Sequence, residues 1–215
     1  MLPVLLALAI PLARAVLGPP AARAADPPPV QSASETAYVN GYMRARAEKD
    51  SLFRYGGDSP IPAAQQAAFA GLRYFPVALR YRIEGTLQVY GRPRLIQIPA
   101  TGDTSATVER YGRFAGSWAG TSFSLETYRL AQTDQLEVFF TDATTGEESY
   151  GGGRYAAVQA LGGGRYVIDF NGAYNPYCAY NHLYSCPLPP PQNRLPFRVE
   201  AGEMGYGPDL ASREP

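Results

Sequence analysis

The sequence predicts a mainly β, α+β fold in which two N-terminal helices pack on an antiparallel β-sandwich or barrel of about eight strands. Two observations support this prediction. Apolar residues recur at helical spacing over residues 34–55, and from Tyr74 onward they alternate with polar residues in short runs that Gly, Pro, Asp or Thr separates. Because no segment of helix length lies between those runs, a parallel α/β fold is disfavoured.

Residues 1–33 are expected to precede the folded domain. An apolar run from Leu2 to Leu17 is followed by Ala22-Arg23-Ala24, which has the small-residue pattern of a signal-peptide cleavage site. We therefore expect a signal peptide over residues 1–24, a flexible proline-rich leader over residues 25–33 and an exported protein, periplasmic or secreted. The apolar run is too short and too interrupted to span a membrane, so no transmembrane segment is expected after its removal. The alternative is a disordered leader rich in alanine and proline.

Two helices are expected at the start of a single β-rich domain over residues 34–206, which a tail over residues 207–215 follows. Ser34 can cap a helix that runs to about Tyr55. A shorter helix is expected between Pro62 and Gly71, because proline favours a helix start and glycine a helix end. The apolar positions that give the first helix its spacing are Tyr38, Tyr42, Ala45 and Phe53.

Eight strands are expected after the helices. In residues 81–89 the apolar side chains of Tyr81, Ile83, Leu87 and Val89 alternate with polar ones, which is typical of a half-buried strand. The other expected strands are residues 94–98, 107–114, 121–130, 136–140, 154–159, 165–170 and 195–200.

The charge balance limits the classes of partner. The chain has 19 basic and 19 acidic residues and a formal net charge of zero. Binding to nucleic acid or to an anionic membrane would need clustered positive charge, so no nucleic-acid partner is expected.

Both cysteines and the only histidine lie in residues 169–190. In an exported chain, Cys178 and Cys186 most simply form a disulfide. Their spacing with His182 also suits a zinc site, and a Cys178 and His182 pair suits nucleophilic catalysis. Only three zinc ligands are evident unless Asp169 supplies a fourth, so we expect a disulfide and neither a metal nor another cofactor.

A set of polar and aromatic side chains predicts a ligand-binding site for a small polar or anionic molecule or a glycan. The alternative is that the asparagines and an arginine hydrogen-bond the backbone of an irregular loop. The candidate binding residues are Arg154, Asn171, Tyr174, Asn175, Asn193 and Arg194.

Three acidic residues are candidates for acid–base chemistry. Asp142 and Asp169 lie at predicted strand ends, and Glu203 follows the last strand. Two of these carboxyl groups could act on a sugar if they converge. The alternative is that the aspartates cap turns, as they commonly do at strand ends.

Several motifs are shared with a known family. The motifs are Ser59-Pro60-Ile61-Pro62, Phe69 to Pro76, Phe140 to Glu147, Tyr150 to Tyr155, Asp169-Phe170-Asn171, Ala173 to Pro176, Cys178-Ala179, Cys186 to Pro190, Asn193-Arg194-Leu195 and Ala201-Gly202-Glu203. Over about residues 40–206 the chain resembles a bacterial and archaeal family of uncharacterised proteins, domain-of-unknown-function family 1684. The resemblance implies no established activity.

Two functional hypotheses follow. The favoured one is a non-catalytic binding or interaction module that uses the loop from Asn171 to Arg194. The other is a hydrolase that acts on a glycan or cell-envelope substrate with Asp142, Asp169 or Glu203 as acid and base.

Overall fold

A computed structural model describes residues 32–130 and 134–207. The predicted signal peptide over residues 1–24 lies outside the described residues, as do residues 25–31 of the predicted leader and 208–215 of the predicted tail. Within the described part of the chain, no helix has the length and apolar character needed to cross a membrane.

One long helix begins the domain. Helix α1 spans Ala33–Tyr55, with Oγ of Ser32 accepting a hydrogen bond from the amide of Glu35 at its start. The second predicted helix is present but shorter than predicted, because α2 spans only Ala63–Gln66 and does not reach Gly71. After that single turn the amides of Ala68 and Phe69 donate to carbonyls three residues earlier, and Phe69 is buried among apolar side chains.

Six antiparallel strands form a closed barrel in chain order, with the first strand paired to the last. The β-rich α+β class is confirmed, and of the two predicted architectures the chain forms the barrel. The strands are β1 Arg82–Ala100, β2 Thr104–Trp118, β3 Thr121–Arg129, β4 Leu136–Phe140, β5 Arg154–Gly162 and β6 Arg165–Asp169. Four three-residue 3₁₀ helices span Leu79–Tyr81, Phe170–Gly172, Tyr177–Ala179 and Pro191–Asn193.

The predicted count of eight strands is wrong for two reasons. Residues 81–89 and 94–98 belong to one strand, β1, whose register against β2 shifts between Val89 and Arg94. Pro93 is tolerated there because, among the described strands, residues 94–100 of β1 pair only with β2, so the missing N–H of Pro93 interrupts no second strand ladder. Residues 195–200 are not a strand, although the amide of Leu195 donates to the carbonyl of Thr141 at 2.8 Å.

Strand β4 is buried on both faces, and this burial positions the site described below. Val138 and Phe140 pack inside the barrel, with Phe114, Ile168 and Phe170. The alternate residues of β4 face the other way, where Phe139 joins a second cluster. The buried members of that second cluster are Ile98, Val108, Tyr128, Phe139 and Tyr155. Glu137, one residue from Val138, shares this outer face.

Candidate ligand-binding site

Arg154 fixes the C-terminal segment of the domain to the barrel. Its side chain is 1% exposed, and Nη2 donates to Oδ2 of Asp142 and to the carbonyl of Val199, both at 2.8 Å. Nη1 donates to the carbonyl oxygens of Ala201 and Glu203. A guanidinium used in this way connects β5 to residues 199–203 and is not open to a ligand.

Asn193 fills a gap between β3 and β4. These strands pair directly only at Tyr128–Glu137 and Arg129–Leu136. Beyond that point the buried carboxamide of Asn193 accepts from the amide of Glu126 at 2.7 Å and donates to the carbonyls of Glu126 and Phe139 at 2.9 Å. The side chain thus replaces missing strand-to-strand hydrogen bonds.

Asn171 and Asp169 bind one another and the first helix. The side-chain nitrogen Nδ2 of Asn171 donates to Oδ1 of Asp169, to the hydroxyl of Tyr38 and to the carbonyl of Ala78. Its Oδ1 accepts from the amide of Ala78, and Oδ2 of Asp169 accepts from Tyr38 at 2.7 Å. Both side chains therefore join α1 and the segment before β1 to the end of β6.

Glu203 has a similar structural environment. It is 2% exposed, forms an ion pair with Lys49 and accepts hydrogen bonds from the Tyr180 hydroxyl and the amide of Asn175. The side chain of Asn175 donates to the carbonyl of Met204. Gly202, the residue before Glu203, has φ 76°, and a Cβ at this position would lie 2.4 Å from the backbone oxygen of Ala173. The backbone beside Glu203 therefore needs a glycine.

The three candidate acids thus have separate partners. Every carboxylate oxygen of Asp142, Asp169 and Glu203 accepts at least one hydrogen bond from another group of the protein. Of the remaining predicted residues, Arg194 and His182 are exposed.

A cavity of about 910 Å³ lies on the outer face of β4, beneath the loop that contains Tyr174 to Pro187. Its volume is within the range of small-molecule sites. The lining residues are Ala106, Thr107, Val108, Leu130, Glu137, Tyr155, Tyr174, Pro176, Tyr177, Tyr184, Ser185, Cys186 and Pro187. Of the predicted binding residues, the lining includes Tyr174 alone.

Glu137 is the only acidic residue among the described residues that line this cavity. It is 3% exposed; Oε1 accepts a hydrogen bond from the Tyr174 hydroxyl at 2.7 Å, and Oε2 is buried without a hydrogen-bond partner. Burial raises the pKa of the Glu137 carboxyl, and the hydrogen bond from Tyr174 opposes this effect.

Four tyrosines form much of the cavity wall. The rings of Tyr155 and Tyr174 meet edge to face with centroids 5.7 Å apart, and those of Tyr177 and Tyr184 do the same at 5.2 Å. Tyr177 and Tyr184 are 44% and 38% exposed, whereas Tyr155 is buried. The deep part of the cavity therefore has a fixed aromatic wall and its mouth has two accessible rings.

The two cysteines lie next to each other, and Cys186 lines the cavity. Both are free thiols here, and the amide of Cys178 donates to Sγ of Cys186 at 3.2 Å. A hydrogen bond from Cys186 lowers the pKa of the Cys178 thiol to about 6, whereas the same interaction and burial raise the pKa of Cys186. The predicted disulfide stays a prediction. No group of three or more metal-ligating side chains occurs within residues 32–130 and 134–207.

A smaller cavity of about 210 Å³ lies between α1 and the segment from Asn171 to Tyr174. Two basic residues, Arg46 and Lys49, line this smaller cavity. The charge of Lys49 is already paired with Glu203. Tyr174 lines both cavities and forms part of the wall between them.

The sequence reasoning missed Glu137. Its local sequence, Leu136-Glu137-Val138, is typical of a strand with one solvent-exposed face, so the pattern predicts that the acid is exposed to solvent. The available signal was Phe139, which places a large apolar residue on the same face two positions later.

Comparisons with known proteins identify relatives but no activity. The family model described as "Protein of unknown function (DUF1684)" matches residues 67–204. A solution NMR structure of an uncharacterised protein from Haloarcula marismortui is similar, with 34% sequence identity and a TM-score of 0.62. The similarity covers 80% of this chain and 96% of the archaeal one. No curated protein matches the chain.

Proposed function

The chain belongs to the DUF1684 family of proteins of unknown function, and we propose that it is a non-catalytic binding module for a small molecule. The proposed site is the cavity on the outer face of β4. The observation that carries the proposal is that Glu137, which lines a cavity of about 910 Å³ with aromatic walls, has a buried Oε2 without a hydrogen-bond partner. Unpaired buried carboxyl oxygens reduce stability, so a ligand that pairs with this oxygen would recover free energy on binding.

The loop from Asn171 to Arg194 contributes to this site, but through aromatic rather than amide side chains. Tyr174, Tyr177 and Tyr184 from the loop line the cavity, whereas Asn171, Asn175 and Asn193 hydrogen-bond within the protein. The asparagines therefore hold the loop in place, and the tyrosines form the contact surface.

Binding is favoured over hydrolysis by the arrangement of the acids. Hydrolysis of a glycosidic bond commonly needs two carboxyl groups about 5 to 10 Å apart on either side of the bond. The described lining of the cavity has one, Glu137, and the oxygens of Asp142, Asp169 and Glu203 are engaged elsewhere. Cys178, the candidate nucleophile, is not among the described lining residues, and the Cys186 thiol, which lines the cavity, has a raised pKa that disfavours its use as a nucleophile.

A titration observed by ¹H–¹⁵N NMR tests this proposal. The purified protein is mixed with a library of small organic molecules of either charge, and we expect at least one to shift the resonances of Glu137, Tyr155 and Tyr174. Tyr177→Ala should weaken the best compound about tenfold, because it removes one ring at the mouth. Tyr55→Ala, which truncates a tyrosine 79% exposed at the end of α1, is the matched control and should leave the affinity unchanged. Shifts confined to other regions, or none, would contradict the proposal.

We also propose that the protein is exported after cleavage behind Ala24. The support is the apolar run from Leu2 to Leu17 and the Ala22-Arg23-Ala24 pattern that follows it. Expression of the full chain in a Gram-negative host should give a periplasmic product that begins at Ala25, measured by intact mass. Ala24→Asp should block cleavage. A cytosolic product that retains residues 1–24 would contradict export.

A further inference from the structure

The composition of the cavity also indicates which kind of molecule would bind there. Its described lining has one acid, Glu137, and no lysine, arginine or histidine. Resting on the function proposed above, we infer that the ligand is a protonated amine that carries an apolar, ring-bearing body. The ammonium group pairs with Glu137 and the body packs against the tyrosines.

The hydrogen-bonding state of Glu137 favours an ammonium ligand. Oε1 already accepts from the Tyr174 hydroxyl, so the carboxyl group has one oxygen, Oε2, left for a ligand. An ammonium N–H both donates to that oxygen and supplies the opposite charge that a buried carboxylate needs. A quaternary ammonium group lacks the N–H and would satisfy only the charge.

The aromatic wall of the cavity also favours a cation. The faces of tyrosine rings attract cations, and this attraction grows when water is excluded. The same chemistry already occurs nearby, because Nζ of Lys49 lies 5.2 Å from the centroid of the Tyr174 ring. Tyr155, Tyr177 and Tyr184 offer further rings to a bound ammonium group and to an aromatic ligand body.

The charges around the cavity favour a cationic ligand as well. Lys49, the cation close to Tyr174, is paired with Glu203. The titratable groups in the described lining of the cavity other than Glu137 are the four tyrosines and Cys186. Adjacent to Cys186 lies Cys178, which adds negative charge when it ionises. The local potential therefore favours a cation, and a small anion would find no positive partner in the described lining.

Three probes of nearly equal shape separate the ligand classes. They are 2-phenylethylamine, a cation; 2-phenylethanol, a neutral hydrogen-bond donor; and phenylacetate, an anion. At pH 7.5 we expect the amine to bind at least about tenfold more tightly than the alcohol, because it adds a charge-assisted hydrogen bond. Phenylacetate should bind most weakly. NMR titration gives the three dissociation constants.

Glu137→Gln tests the residue assigned to the ammonium group. The substitution keeps the side-chain size and the acceptor for Tyr174 but removes the charge. We expect it to abolish the preference for the amine and to leave the affinity for 2-phenylethanol within about twofold. Glu84→Gln removes an equal charge from an exposed position on β1 and should preserve the preference.

The pH dependence supplies a second readout in the unmodified protein. Amine affinity should rise with pH as Glu137 ionises through its raised pKa, while the affinity for 2-phenylethanol should change little. Cys178→Ser should retain this dependence and Glu137→Gln should lose it, which separates the carboxyl from the thiol.

The outcomes distinguish the two proposals. If the alcohol or phenylacetate binds as tightly as the amine, or amine binding is the same in Glu137→Gln, the amine inference is overturned and the binding function stands. If library compounds shift the Glu137 and Tyr155 resonances but phenylethylamine does not, the amine inference again fails alone. If no compound perturbs the cavity, both fail.

Discussion

The Tyr174 hydroxyl donates a hydrogen bond of 2.7 Å to Oε1 of Glu137. This pair joins β4 to the covering loop, the segment from Tyr174 to Pro187 that lies over the cavity. The contact leaves Oε2 buried without a partner in the ligand-free protein. An acid in such a position lowers stability unless it is protonated or paired. A carboxyl group in a cleft whose pKa is shifted by burial is a candidate for a functional site.

Replacing Glu137 with glutamine should stabilise the protein at neutral and higher pH. The folded-state pKa of Glu137 is raised by burial, so its contribution to stability is fully present below the unfolded pKa of about 4.3 and is lost as pH rises through the folded value. We expect Glu137→Gln to be about 1 to 2 kcal/mol more stable than the wild type at pH 8 and nearly equal at pH 4. Urea unfolding at both pH values measures the difference. Glu84→Gln, at an exposed site, is the control, and an unchanged difference between pH 4 and pH 8 would contradict the assignment.

Removing either partner of the Arg154–Asp142 ion pair should strongly destabilise the fold. Both side chains are almost fully buried, and Arg154 also binds three carbonyl groups of residues 199–203. Arg154→Ala and Asp142→Ala should each lower the free energy of unfolding by about 3 to 5 kcal/mol, because the remaining charge is left unpaired. Arg198→Ala removes an exposed ion-pair network and should change it by less than about 1 kcal/mol. If Asp142→Ala proves as stable as the wild type, the structural role is excluded.

Asn193 and Arg194 are neighbours with opposite expected effects. Asn193 is fully buried and makes three hydrogen bonds to backbone groups of β3 and β4, whereas Arg194 is exposed. Asn193→Ala should cost about 2 to 4 kcal/mol, since it leaves three buried backbone groups unpaired. Arg194→Ala should stay within about 0.5 kcal/mol of the wild type. Denaturant unfolding compares the two, and similar effects at both positions would refute this division of roles.

Alternation of apolar and polar residues predicted most of the barrel, because a half-buried strand must place its side chains on two different faces. The same rule fails where a segment is fixed by side chains. Leu195 and Val199 are buried and alternate like a strand, but residues 199–203 are held by Arg154 rather than by a neighbouring strand. Nor could the rule identify Glu137 as buried, since its environment depends on a loop distant in sequence.

The asparagines illustrate the same limit at the level of the site. Residue type predicted that Asn171 and Asn193 make specific hydrogen bonds, and they do. Residue type does not specify whether the partner is a ligand or the backbone of another strand, because a carboxamide satisfies both equally. Only the register of β3 and β4, which leaves a gap at Glu126 and Phe139, determines the outcome for Asn193.

The two thiols should differ strongly in reactivity once the protein is reduced. Hydrogen bonding by Cys186 lowers the pKa of Cys178 to about 6, and Cys178 is partly exposed, while the pKa of the buried Cys186 is raised. Because the thiolate is the nucleophile, iodoacetamide should modify Cys178 first, with a rate that rises through about pH 6. Peptide mass spectrometry after timed labelling measures each site. Preferential labelling of Cys186 would contradict the assigned asymmetry.

If the protein is exported as proposed, the same pair should be oxidised. A low-pKa thiol next to a second cysteine is well placed to form a disulfide in an oxidising compartment. Periplasmic material should therefore be two mass units lighter than the reduced form, and Cys186→Ser should abolish this difference. Both cysteines lie in the loop that covers the cavity, so the bond would join Cys178 to Cys186, whose amide donates to Oγ1 of Thr101 just after β1. We expect ligand to dissociate more slowly from the oxidised protein than from the reduced one, because the cross-link limits how far the two parts of the loop can separate. Equal dissociation rates in the two states would show that the loop is held by its hydrogen bonds alone.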